Sequence, residues 1–224
     1  SLVGSEMCIR DRYTSKAKHM AGFVNKFYSL GYNVLAADAR AHGDSEGTKI
    51  GMGWPERFDV IKWIKLIISW EPNAQIILHG VSMGAATVLM ASGEELPENV
   101  KVIIADCGYT SEWDEFKCEA NALHIPWFPV LNAASVMSRL RDGYDFKQAS
   151  ALEKVKQSRI PTLFIHGSDD ELVPYSMLDK LYSAAACEKE CLSVNGAGHA
   201  LSSSVEPELY WNTVESFIEK YSAK

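Results

Sequence analysis

Long apolar runs are missing from this sequence. No stretch of its 224 residues is long enough to span a bilayer as a helix. Positive charge is scarce as well: Lys and Arg number 22 against 29 Asp and Glu, a net charge of −7. That balance excludes a basic nucleic-acid footprint and a polybasic membrane patch. Cysteine is sparse and unpatterned. Cys8, Cys107, Cys118, Cys187 and Cys191 form no C-x-x-C pair and no Cys/His metal spacing. Their odd number points to reduced thiols and an intracellular, cytoplasmic setting. Internal repeats and low-complexity linkers are absent too. What remains is 47% hydrophobic and 23% charged, an ordinary globular composition. The length suits one α/β domain with a substantial core.

Ser1 to Arg12 does not read like the rest. It has no amphipathic period and no signal-peptide core, and it resembles a translated sequencing-adapter fragment. The expected domain therefore runs over residues 13–224, with 1–12 set aside as a leader. Ala17 to Leu30 carries Met20, Val24, Phe27 and Leu30 at helical spacing and stops at Gly31. Tyr32 to Asp38 reads as a strand, Ala39 to Gly53 as a glycine-rich loop, and Trp54 to Trp70 as a helix. Strands are expected at Gln75, Val100, Ile160 and Cys191, and helices over Pro174–Ala186 and Glu208–Tyr221. This alternation predicts a mostly parallel sheet with helices on both faces. Only Cys107 to Leu152 breaks the rhythm, being aromatic and helical in pattern, as a cap insertion over about 107–152 would be.

One stretch carries chemistry. Gly80-Val81-Ser82-Met83-Gly84 fits G-x-S-x-G, between an apolar strand and an Ala-rich helix. Such a turn holds a serine in a strained conformation above a helix N-terminus, which favours developing negative charge. A serine nucleophile needs a base, and the base needs an orienting carboxylate. Asp170 follows the Ile160 strand in Asp170-x-x-Val173-Pro174, and His199 follows the last strand in Gly198-His199. The residues themselves leave plainer roles open: a helix-cap carboxylate for Asp170, an exposed loop histidine for His199. Of the other histidines, His42, with Asp44, fits a loop-shaping role. His79 and His166 fit packed strand ends, and His19 and His124 the surface or a cap.

Together with Asp38-x-Arg40-x-His42-Gly43-x-Ser45, these motifs resemble the α/β-hydrolase superfamily, more closely its serine aminopeptidase, monoacylglycerol-lipase-like and Bem46-like group. The resemblance covers nearly the whole chain from Tyr13. It implies an α/β-hydrolase fold with a small helical cap, and Ser82, Asp170 and His199 as nucleophile, acid and base. It implies Met83 as one oxyanion N–H donor. The second donor in such proteins follows a His-Gly pair, and Tyr13-Thr14-Ser15 looks like the continuation of that motif, which implies Tyr13. The family sheet has about eight strands against the five read here, so N-terminal strands are expected to be missing. Residues Ser1 to Arg12 are the only chain left to fill the slot beside the Gln75 strand. Trp113, Trp127 and Phe128 are the expected pocket residues. The implied activity is a serine hydrolase on a small, apolar ester or amide, without metal, organic cofactor or nucleic acid. A peptidase, thioesterase or lipase with the same three residues, or a non-catalytic interaction protein of this fold, are the alternatives.

Overall fold

The computed structural model describes residues 20–222, together with the backbone of residues 5–10. Six parallel strands form one sheet in the order β2-β1-β3-β4-β5-β6. They are β1 (Ser5–Arg10), β2 (Asn33–Ala36), β3 (Gln75–Val81), β4 (Val100–Asp106), β5 (Thr162–Gly167) and β6 (Lys189–Val194). Five of the six lie where the apolar runs predict them. The sixth, β1, occupies the slot beside β3, pairing Ile9 with His79 on one side and Ile9 with Ala36 on the other. Among the described residues the strand count is therefore six rather than five: β1 supplies the backbone partners that the facing edges of β2 and β3 need in a parallel sheet.

The helices are α1 (Ala21–Ser29), α2 (Glu56–Trp70), α3 (Met83–Ser92), α4 (Glu112–Ala122), α5 (Trp127–Asp142), α6 (Ala151–Val155), α7 (Ser176–Ala184), α8 (Ser202–Val205) and α9 (Pro207–Ser222). They cover both faces of the sheet, and the period-2 alternation of the strands separates two cores. Ile76, Leu78, Ile103 and Phe164 face α2, α3 and α7 through Val60, Ile64, Leu89 and Leu178. Ile77, Ile104, Leu163 and Ile165 face α1 and α9 through Phe27, Tyr210, Val214 and Phe217. Strands buried on both faces read as continuous apolar runs, which is why β3 and β4 are legible in the sequence. Every residue of α3 is buried, so it has no polar face.

The excursion between β4 and β5 leaves and returns at one point. Ser111 bridges to Ser150, the Glu112 amide donates to Ala149 O, and the Leu152 amide donates to Thr110 O. Between those ties run α4 and α5, which pack on each other. Ser111 and Ser150 each cap a helix, accepting from the Asp114 and Glu153 amides. Among the described residues no helix is long and apolar enough to cross a membrane.

Candidate active site

Ser82 sits between β3 and α3 with φ 56 and ψ −118, a conformation that L-residues rarely adopt. Two features hold it there. Its amide donates to Asp106 O at 2.8 Å, and its carbonyl accepts from the Ala86 amide at 3.0 Å. Gly80 makes the turn possible: a Cβ there would lie 2.3 Å from Gly84 O and 2.6 Å from Ala85 N, inside the helix backbone. Met83 is the first residue of α3, where backbone N–H groups have no partner within the helix.

The three residues expected to act together do meet. His199 Nε2 lies 2.8 Å from Ser82 Oγ, and His199 Nδ1 lies 2.8 Å from Asp170 Oδ2. With a carboxylate on one side, Nδ1 carries the proton and Nε2 is left to accept from the serine hydroxyl. The loops that carry Asp170 and His199 approach closely at Gly167, where a Cβ would fall 2.1 Å from Ala197 O. The Asp169 amide donates to that same carbonyl at 3.0 Å. Ser82 and Asp170 are buried and His199 is half-buried.

Asp170 is better provided for than its motif indicates. Its Oδ1 accepts from the Leu172 and Val173 amides at 3.0 and 2.9 Å. Its Oδ2 also faces His166 Nε2 at 3.2 Å, and that N–H is shared with Val173 O at 2.9 Å. Burial works to raise the carboxyl pKa, but hydrogen bonds from His166, His199 and the Val173 amide outweigh it and hold Asp170 well below the usual carboxylate range. His166 is thus a packed strand-end residue, as expected, with an added part as second donor to the acid. Its position one strand-end before the Asp170 loop is the signal that points to it.

Behind the serine lies a buried polar chain. Asp106 takes a hydrogen bond from Tyr210 and one from Ser202 Oγ at 3.4 Å. Tyr210 Oη in turn lies 3.1 Å from His79 Nε2. Burial pushes the Asp106 carboxyl up to about 6, against the pull of His166, Tyr210 and His199. Burial also lowers His79 to about 3, so its ring is neutral. This chain ties β3 and β4 to α8 and α9, the elements that follow His199. Asp106 is the last residue of β4, and no local motif marks it for this role.

Cys107, directly after β4, is also drawn in. Its sulfur, the Asp170 carboxylate and a His199 ring nitrogen lie within 4.8 Å of one another. This is the cluster of metal-ligating groups among the described residues.

Trp113 and Trp127 stack edge to face at 6.4 Å, and Trp127 and Phe128 at 6.2 Å, so the three expected pocket residues form one aromatic row on α4 and α5. Lys147 and Lys117 lie over the Trp113 and Trp127 rings. Phe128 is exposed. Tyr13, the expected second oxyanion donor, lies outside the described residues.

Comparison with known proteins places this geometry. The profile of the family described as serine aminopeptidase, S33 matches residues 5–150, more than half of the chain. The uncharacterized protein YqkD of Bacillus subtilis is 31% identical over 199 residues, 88% of this chain and 65% of that protein. Lysophosphatidylserine lipase ABHD12 of Macaca fascicularis is 29% identical over 174 residues, 77% of this chain and 43% of that protein. The chain thus spans less than two thirds of the curated relatives it matches. Among solved structures, the Pyrococcus furiosus esterase Pf2001 superposes with a TM-score of 0.79 at 24% identity, covering 97% of this chain and 82% of that one. With the parallel sheet, the strained serine turn and the profile match in agreement, the chain belongs to the serine aminopeptidase S33 family and has the α/β-hydrolase fold.

Proposed function

We propose that this protein is a serine hydrolase that cleaves a carboxylic ester through an acyl-enzyme. The observation that carries this reading is the unbroken run of hydrogen bonds from Ser82 Oγ through His199 to Asp170. In this reading His199 Nε2 takes the hydroxyl proton as Ser82 Oγ attacks the acyl carbon. Asp170, held ionised by its donors, keeps Nδ1 protonated and stabilises the imidazolium that forms. The Met83 N–H, at the start of α3, stabilises the oxyanion, with Tyr13 N–H as the second donor. His199 then returns its proton to the leaving group. A water, activated by the same histidine, releases the acyl group and frees Ser82.

A small, apolar ester is the proposed substrate class, with Trp113, Trp127 and Phe128 shaping its pocket. The lipase and esterase names of ABHD12 and Pf2001 favour an ester over the peptide bond in the family's name. The strained serine argues against a purely non-catalytic interaction protein, because nothing in binding alone requires that conformation.

A fluorophosphonate probe tests the reading. The protein is expected to label, and Ser82→Ala to lose the label and at least about 10⁴ in kcat on p-nitrophenyl esters. A folded protein that neither labels nor hydrolyses esters would overturn it.

A further inference from the structure

We propose that Cys107, Asp170 and His199 form an inhibitory site for a borderline-soft divalent cation of the Zn2+ class. The proposal rests on the reading of His199 as the base of Ser82.

The ligand set and its spacing come first. A thiol sulfur, an imidazole nitrogen and a carboxylate oxygen lie within 4.8 Å of one another. Zinc sits about 2.3 Å from sulfur and about 2.0–2.2 Å from nitrogen and oxygen, so its ligand atoms lie about 3.3–3.8 Å apart in tetrahedral geometry. Side-chain shifts on the order of 1 Å close the triangle. A mixed sulfur, nitrogen and oxygen set selects zinc-like ions over Mg2+ and Ca2+, which take oxygen ligands.

Burial pushes the Cys107 thiol up, so the sulfur keeps its proton until a cation displaces it. The carboxylates of Asp106 and Asp170 lie near enough to act on the sulfur electrostatically, and that negative field favours a cation. Cys107 and Asp170 are fully covered, whereas the His199 side chain is 18% exposed. The ion therefore enters past the imidazole.

Binding there has one chemical consequence. The nitrogen that faces Asp170 is Nδ1, and the other, Nε2, faces Ser82. An ion on Nδ1 displaces its proton, and the neutral ring then carries its proton on Nε2. That N–H donates to Ser82 Oγ instead of accepting from it. The serine keeps its proton and loses its base. In the balance, the Cys107 S–H bond breaks and the S–Zn bond forms. The imidazole exchanges its proton from Nδ1 to Nε2 through solvent, and one proton is released. Nothing is oxidised or reduced.

The test uses the full chain stripped of metal with a chelator. Ester hydrolysis and fluorophosphonate labelling are followed as buffered Zn2+ is raised, each variant against its own metal-free rate. The concentration for half-inhibition is expected to rise at least tenfold in Cys107→Ser and in Cys107→Ala. Co2+ is expected to give a thiolate-to-metal charge-transfer band in the wild type and in Ser82→Ala, and none in the Cys107 variants. Zn2+ inhibition that is absent from the wild type, or unchanged in both cysteine variants, would overturn the proposal, as would the absence of the cobalt band. The band in Ser82→Ala separates the two readings. Its presence in a protein that never labels would refute the serine hydrolase and leave the ion site standing.

Discussion

Glu112 and Glu115 open α4 at the base of the excursion, and both are buried with one carboxylate oxygen lacking a hydrogen-bond partner. Burial pushes both carboxyls up to about 8, helped by Glu56 and Asp142 at Glu112 and by Glu119 and Asp170 at Glu115. The folded protein therefore binds a proton at each site that the unfolded chain has released above about 4.5. Because the folded-state pKa of an acid is raised, stability is fully present below the unfolded value and is lost as pH rises towards 8. Each pKa unit is worth about 1.4 kcal/mol, so between pH 4.5 and 7 each carboxyl costs the fold about 3 kcal/mol. Replacing either with glutamine keeps the shape and removes the proton linkage. Glu112→Gln and Glu115→Gln are each expected to raise the melting temperature at pH 7 by roughly 6–12 °C, at about 2–4 °C per kcal/mol for a chain of this size. At pH 4.5 the gain is expected to vanish. Thermal unfolding followed by circular dichroism at the two pH values measures this. A gain of equal size at both, or a loss at pH 7, would refute the placement of neutral acids in the first turn of α4.

Three further outcomes follow from the geometry. Gly80→Ala is expected to cost more than about 3 kcal/mol in urea unfolding, because its Cβ meets helix backbone that cannot turn aside; a cost under about 1 kcal/mol would show that the turn relaxes. Tyr210→Phe takes a partner from both Asp106 and His79, and a loss of about 1–3 kcal/mol is expected, read by the same method; an unchanged midpoint would show that the buried chain is not coupled. Single alanine replacements of Trp113, Trp127 and Phe128 are expected to shift chain-length preference among p-nitrophenyl esters, and an unchanged preference in all three would leave the aromatic row a purely packing feature.

Much of this molecule was legible in one dimension. Strands buried on both faces must be continuously apolar, and that put β4 at Val100–Asp106 without help from the structure. Ser82, Asp170 and His199 were legible because each stands in a short local motif after a strand, and parallel strands send all such loops to one edge. Local signals stop there. The run Ser5–Arg10 has no strand pattern, and only the open backbone of β2 and β3 decides that it lies between them. Glu112 and Glu115 read as ordinary acids of a helix's first turn, favoured by its dipole, and nothing local shows that chain packs over them. Cys107 looks like an inert strand-end thiol. Its place beside Asp170 and His199 depends on contacts between residues far apart in sequence, which patterning cannot encode and only the folded sheet brings together.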